Sequence, residues 1–259
     1  MPPPAGAVAP MPPVVPPAKP DHPGADLGVI EDANSSNSFI TPTALTAPAG
    51  TWWFSDIDLF LVSGGYAITN EFQVSAMTLI PVSKDQPFWG VFNGKFQFLK
   101  QGRLRLAAQA ALMTVEDDKN TYDSNGNSTG STSQWYFAGE VGGAATLCFD
   151  DACRSHGSLF VGAGFAQGDN SAVPVVVAGS IAARINKHVK LIGEIDSGFI
   201  AGKIDISNGA LVSYGVRFTS RNLGVDFGFM KPLVKGWDDI DVLPLGLPYL
   251  SFTYRSTDD

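Results

Sequence analysis

The chain has 259 residues and a formal net charge of −8, and only 16% of its side chains are charged, against roughly 25% in ordinary soluble domains. With no basic excess to neutralise phosphates, a nucleic-acid partner is excluded. No apolar run reaches the ~18 residues that a spanning helix requires, so a helical membrane protein is excluded too. A charge-poor chain with 28 Gly and scattered apolar residues fits a membrane β-barrel, where lipophilic side chains occupy alternate positions. A soluble β-sandwich or lipocalin-like barrel is the competing expectation.

Residues 1–37 form one compositional block, Pro- and Ala-rich and then polar in EDANSSNS. Such a segment buries too little apolar surface to offset its ordering entropy and is expected to be a flexible, extended periplasmic arm. His22 within it is expected to be solvated. The opening MPPPAGAVAPMPPVVPPAKP has neither a charged n-region nor an apolar h-region, so export implies a signal that has been removed or precedes the numbering.

From residue 38 to 259 the chain reads as the barrel. Alternating segments are expected at 39–47 and at 51–68, where Ile57, Leu59 and Leu61 oppose Asp56 and Asp58. After a Thr69-Asn70 turn, Phe72, Val74, Ala76, Thr78 and Ile80 share a face. Then Phe88, Gly90, Phe92, Gly94, Phe96 and Phe98 alternate with Trp89, Val91, Asn93, Lys95 and Gln97.

The next stretch, KQGRLRLAAQAALM (100–113), is helix-prone by residue type. Its apolar residues nevertheless fall at every second position, Leu104, Leu106, Ala108, Ala110 and Leu112. Inside a series of period-two segments it is expected to be a strand, because packing overrides propensity. The pattern recurs in 135–147, 159–165, 175–185, 189–196, 212–218, 222–229 and 250–255.

Short connections at 69–70, 100–102, 150–154, 186–188 and 220–222 are interleaved with longer ones at 81–87, 116–133, 167–172, 201–208 and 231–248. Short turns at one end and long loops at the other are the up-and-down plan of an outer-membrane barrel. About twelve antiparallel strands are expected, with both termini on the short-turn, periplasmic side. Trp52, Trp53, Phe54, Trp89, Trp135 and Tyr254 lie near segment ends, where aromatic girdles belong.

The two rows of each strand differ sharply. Charge is nearly absent from the row taken as outward. The other row carries Asp56, Asp58, Glu71, Lys95, Arg103, Arg105, Glu140, Arg184, Lys190, Glu194, Asp196, Arg217, Asp226 and Arg255. Charges inside and apolar residues outside is the membrane arrangement, the inverse of a soluble barrel. Lys95, Arg103, Arg105, Glu140, Arg184, Glu194, Asp196, Arg217 and Asp226 are therefore the candidate lumen-lining charges. Two readings of them stand side by side: a hydrogen-bonded, salt-bridged plug, or a narrow water-filled pore for small polar solutes.

The two cysteines, Cys148 and Cys153 in CFDDAC, flank a hairpin-sized gap and are expected to form a disulfide in an oxidising compartment. With His156 the single nearby extra ligand, no metal site is expected. The polar loop at 116–133 contains Asp123, Asn125 and Asn127 around Gly126, too incomplete for a calcium loop. His156 and Ser158, two apart, offer a thin case for hydrolytic chemistry. No cofactor is expected, and no enzymatic activity.

The residues GGYAITNEFQVS (64–75) resemble a recurring hairpin of bacterial outer-membrane barrels, G-Y-x-I-T-x-x-F-x-V. Together with FITPTA (39–44), the chain resembles uncharacterised porin-like barrels of Gram-negative bacteria, although RSTDD follows Tyr254 where such barrels commonly end on an aromatic residue. The resemblance implies outer-membrane lipid as the surrounding partner and a passive pore or structural envelope role. The alternative expectation is a barrel that binds a periplasmic protein or the cell wall through residues 1–37.

Overall fold

The structure, a computed structural model, describes residues 32–81, 88–122, 128–167, 173–200, 209–220, 222–233 and 245–256. Its strands are β1 (Trp52–Ile57), β2 (Leu61–Ala67), β3 (Phe72–Leu79), β4 (Trp89–Gln101), β5 (Leu104–Tyr122) and β6 (Ser128–Cys148). The second half comprises β7 (His156–Ala166), β8 (Pro174–Asn186), β9 (Val189–Ile200), β10 (Ala210–Thr219), β11 (Leu223–Leu233) and β12 (Leu247–Arg255). Each pairs antiparallel with its sequence neighbours, and β1 pairs with β12, which closes a barrel of twelve strands. Closure satisfies every strand edge, the condition for crossing hydrocarbon with β-structure.

The period-two rows set the faces. Leu104, Leu112, Val141, Leu147, Leu159, Ile181, Leu191 and Phe227 are exposed on the outside. From Trp135 to Leu147 the outward row of β6 carries no charge. That stretch is roughly 40 Å of strand, or about 30 Å vertically at a tilt of ~40°, which matches a bilayer core. Aromatic pairs mark both borders: Trp52 and Tyr254 lie 5.4 Å apart at the short-turn end, and Phe88 and Trp135 5.9 Å apart at the other. This closed sheet with its lipophilic exterior is an outer-membrane β-barrel. The short-turn end, where β1 starts and β12 finishes, corresponds to the periplasmic end in barrels of this plan.

Three expectations are corrected. Residues 39–47 are not a strand; they fold inside the barrel, as described below. Residues 51–68 are two strands, because Phe60 N donates to Ile57 O across a turn whose central residues Asp58 and Leu59 have φ of 52° and 64°, the primed geometry that suits hairpins. The hidden turn reverses the assigned faces: Trp53, Ser55 and Ile57 point inward, Ser55 Oγ bonding Thr253 Oγ1 at 2.9 Å. Asp56 and Asp58 instead serve the turn, accepting from Leu59 N and Leu250 N, each at 2.8 Å. Finally, most of 116–133 is strand, since β5 and β6 stay paired from Glu116↔Trp135 to Tyr122↔Ser128. Beyond its pairings with β4 and β7 this hairpin projects on the order of 20 Å. The calcium-like residues 123–127, and the loops 82–87, 168–172, 201–208 and 234–244, lie outside the described residues, as do residues 1–31.

Two tryptophans assigned to girdles face the lumen. Trp53 lies over Gly65 so closely that a Cβ there would sit 2.1 Å from the indole, and only glycine permits that approach. Trp89 Nε1 reaches Met113 Sδ at 3.1 Å inside the barrel.

Candidate functional site

The lumen is the one enclosed space that the twelve strands create, and its periplasmic half is filled by residues 32–47. This segment enters at the short-turn end, bends back on itself through Asn37↔Pro42, and leaves towards β1. Ser38 N donates to Thr41 O at 2.9 Å and Thr43 N to Ser36 O at 3.0 Å, so the bend is a small hairpin. Ser38, Thr41, Thr43 and Ala44 are fully buried.

Wall groups that the inward rows supply hold this plug. Lys190 Nζ lies 2.6 Å from Asp32 Oδ2, and Arg217 Nη1 lies 3.2 Å from the same oxygen. Arg217 also donates to the carbonyls of Asn34 at 2.7 Å and Asn37 at 3.1 Å, and to that of Ser38. Arg255 Nη1 donates to Asp32 O at 3.1 Å and Lys95 Nζ to Ser36 O at 2.6 Å. Burial by itself would raise the Asp32 pKa. The positive charges of Arg217 and Lys190 outweigh it and hold the carboxyl well below the usual range, so Asp32 is an anion seated among cations.

The tip of the plug is held differently. Glu194 accepts from three successive backbone N–H groups, Phe39 at 3.0 Å, Ile40 at 2.9 Å and Thr41 at 3.3 Å. Beside it Thr41 Oγ1 donates to Asp196 Oδ1 at 2.8 Å. Successive N–H groups at a bend form a concave anion receptor, here filled by a side chain of the wall. On the far side Ala44 N donates to Thr146 Oγ1 at 2.8 Å, Ala47 N to Gln73 Oε1 at 2.9 Å, and Gln97 Nε2 to Ala44 O. Apolar contact comes from two clusters: Phe39 packs on Tyr249 with Ala182 and Ile192, flanked by Ile57 and Met230, and Ala44 on Ala107, Ala144, Phe160 and Ala178, flanked by Val176.

The sequence-derived lumen set is mostly brought together here. Lys95, Glu194 and Arg217 touch the plug directly, Asp196 touches it through Thr41, and Asp226 supports Arg217. Arg105 turns back onto the carbonyls of Gly102 and Leu104, at 2.6 and 2.9 Å, and Arg184 Nη2 reaches Thr219 Oγ1 at 3.0 Å. Arg103 is a correction. The ladder ends at Gln101↔Leu104 and Gly102 takes φ 54°, so Arg103 falls in the turn, exposed, 3.3 Å from Asp151 of the next turn. Glu71 is likewise an exposed turn residue. Sequence reasoning missed Asp32 and its hold on Lys190. The available signal was the position of the inward charges, which lie within a few residues of the short turns on β4, β5, β9, β10, β11 and β12.

Cys148 and Cys153 form a disulfide across the β6–β7 turn. His156 is buried on the inward row as the cross-strand partner of Cys148, and Ser158 Oγ bonds Thr146 Oγ1 at 2.8 Å. Among the described residues no group of His, Cys, Asp and Glu is placed to hold a metal ion.

The outer half of the lumen is of another kind. Continuing the same inward rows towards the long-loop end gives Ile57, Leu61, Met77, Leu79, Val91, Met113, Val115, Val176, Leu211 and Met230, all half-buried. Between the plug tip and Val115, where the projecting part of β5 and β6 begins, the ionic groups on these rows among the described residues are the carboxylates Glu140 and Asp196. The plug tip is its floor, where Ile40 is 47% exposed. The lumen is thus a polar, filled inner half beneath an apolar outer half.

No protein-family model matches the chain, and no curated protein sequence does. Among solved structures the chain is similar to the Pseudomonas putida OprB at high pH, with 11% identity over 76% of this chain and 58% of that one and a TM-score of 0.36. It is similar to the Acinetobacter baumannii outer membrane protein Omp33, with 10% identity over 80% and 96% of the two chains and a TM-score of 0.40. It is also similar to LpxR from Salmonella typhimurium, with 8% identity over 81% and 100% and a TM-score of 0.42. The chain therefore spans little more than half of the length of OprB and nearly all of the other two.

Proposed function

We propose that the protein is an outer-membrane pore for small solutes that its own residues 32–47 keep shut, and that residues 1–31 are the handle through which a periplasmic partner releases it. The observation that carries this reading is the chemistry of the plug–wall contact. It consists mainly of hydrogen bonds and ion pairs between groups that water can also satisfy. Each such bond contributes only about 0.5–1.5 kcal/mol net, whereas a permanent core would be sealed by apolar burial. Many such bonds together keep the closed state dominant, so release calls for a partner or a pull.

Planar-bilayer recording tests the reading. The full chain should be silent or nearly so, while a variant lacking residues 1–43 should conduct in discrete steps. Silence of both proteins removes the pore and leaves a structural envelope role. A second reading, in which the barrel merely anchors the arm to periplasmic protein or cell wall, draws on the Asp32 ion pairs at the periplasmic end, where tension on the arm would fall. Pull-down with and without residues 1–31 tests it, and an identical set of partners removes the arm from the account.

A further inference from the structure

We propose that the outer half of the lumen is a binding cup for a small apolar molecule bearing a cationic head, an alkylammonium amphiphile, entering from outside the cell. The cup is closed below by the plug tip, whose Ile40 side chain is 47% exposed although it lies inside the barrel. That exposure marks open space above an apolar floor. The walls present Met77 and Met113 on inward rows of β3 and β5, and Met230 of β11 packs at the floor against the Phe39–Tyr249 cluster. Unbranched, polarisable thioethers adapt to apolar guests of varied shape, and a mostly apolar cup with few polar groups is the usual form of a small-molecule site.

Charge chooses the head group. Glu140 and Asp196 are the ionic side chains on the inward rows between the plug tip and Val115 among the described residues, and both are anionic. Thr41 engages one oxygen of Asp196, and the other, Oδ2, is buried beside it without a hydrogen-bond partner among the described residues, so Asp196 acts on a guest through its charge and Glu140 is the acceptor that faces the cup. Glu140 Oε1 lies over Gly162, where a Cβ would come within 2.8 Å of it. Two carboxylates with no ion pair among the described residues favour a positive charge and oppose a carboxylate or sulfate. The cup holds its guest whether or not the barrel ever conducts, so the bilayer experiment and the binding experiment fail separately.

The test uses the full chain in lipid nanodiscs with octylammonium and octanesulfonate, each below its micellar concentration, and empty nanodiscs as the blank. Calorimetry reads binding, and the difference in tryptophan fluorescence between the unaltered protein and Trp89→Phe reads Trp89, which lies against Met113. The expected result is saturable, protein-dependent binding of the ammonium compound, about tenfold tighter than the sulfonate. The double variant Glu140→Gln/Asp196→Asn should lose that preference while keeping its heat-dependent gel migration. Equal binding of the two probes, no saturable binding of either, or an undiminished preference in a folded double variant overturns the proposal. If the double variant does not fold, the comparison of the two probes on the unaltered protein decides.

Discussion

Arg217 and Asp226 face each other directly across β10 and β11, joined by two parallel hydrogen bonds, Nε to Oδ1 at 2.6 Å and Nη2 to Oδ2 at 2.9 Å. Ser251 Oγ adds a third bond to the same carboxylate at 3.0 Å. The fork of Arg217 is thereby fixed to the wall on one side, and its remaining N–H groups are aimed at Asp32 and the plug carbonyls on the other. One guanidinium couples the closed sheet to the segment that fills it. Lysine cannot reproduce this geometry, because its ammonium is a point charge without a planar fork.

Arg217→Ala strands Asp226 in the lumen and removes half of the cationic surroundings of Asp32. Removing one partner of a buried pair typically costs about 3–5 kcal/mol. The unheated, fast-migrating form of the barrel should convert to the slow form at a clearly lower temperature. Arg217→Lys should recover only part of the loss; full recovery by lysine would show that charge alone matters.

Asp32→Asn leaves Lys190 and Arg217 facing a neutral amide. The plug should loosen at its periplasmic end while the sheet stays intact. Limited proteolysis in detergent should then cut within residues 32–47 faster than in the unaltered protein, with no change in the barrel core. Equal rates would show that the carbonyl contacts suffice to seat the plug.

Glu194→Gln replaces a carboxylate that accepts three N–H donors with an amide that offers one acceptor oxygen and an opposing donor. Losing these bonds should cost roughly 1–3 kcal/mol. Hydrogen exchange at the amides of residues 39–41 should accelerate, while the ladder amides of β9 keep their protection.

Val141 is 60% exposed on the outer face and pairs with Ala110 midway along β5, whereas Leu147 pairs with Leu104 at the periplasmic end. Val141→Arg should therefore cost about 2–4 kcal/mol in urea unfolding from lipid vesicles, and Leu147→Arg at most ~1 kcal/mol. Equal costs would place the hydrocarbon elsewhere.

Reduction of the Cys148–Cys153 bridge, or Cys148→Ser with Cys153→Ser, releases a loop with a sequence separation of 5. Chain entropy assigns so small a loop roughly 2 kcal/mol. Vesicle unfolding should register that loss, with the changes in hydrogen exchange confined to the β6–β7 turn.

The sequence by itself determined the strands, their approximate number and the lipid-facing row. Those features follow from a period-two pattern that is local, and Leu104 through Leu112 declare it against their own helical preference. It also placed Lys95, Glu194, Arg217 and Asp226 inside, because a charge on the other row would meet hydrocarbon. Only the tertiary structure decided what those charges do. Asp32 meets Lys190 across 158 residues of sequence, and no local pattern encodes a contact of that range. For the same reason residues 39–47, alternating enough to pass for a strand, become a plug: their backbone groups are satisfied by the side chains of Glu194, Thr146 and Gln97 and not by a neighbouring strand. The division of the lumen into a filled polar half and an apolar cup was likewise a matter of closure, which brings the inward rows of twelve separate strands around one enclosed space.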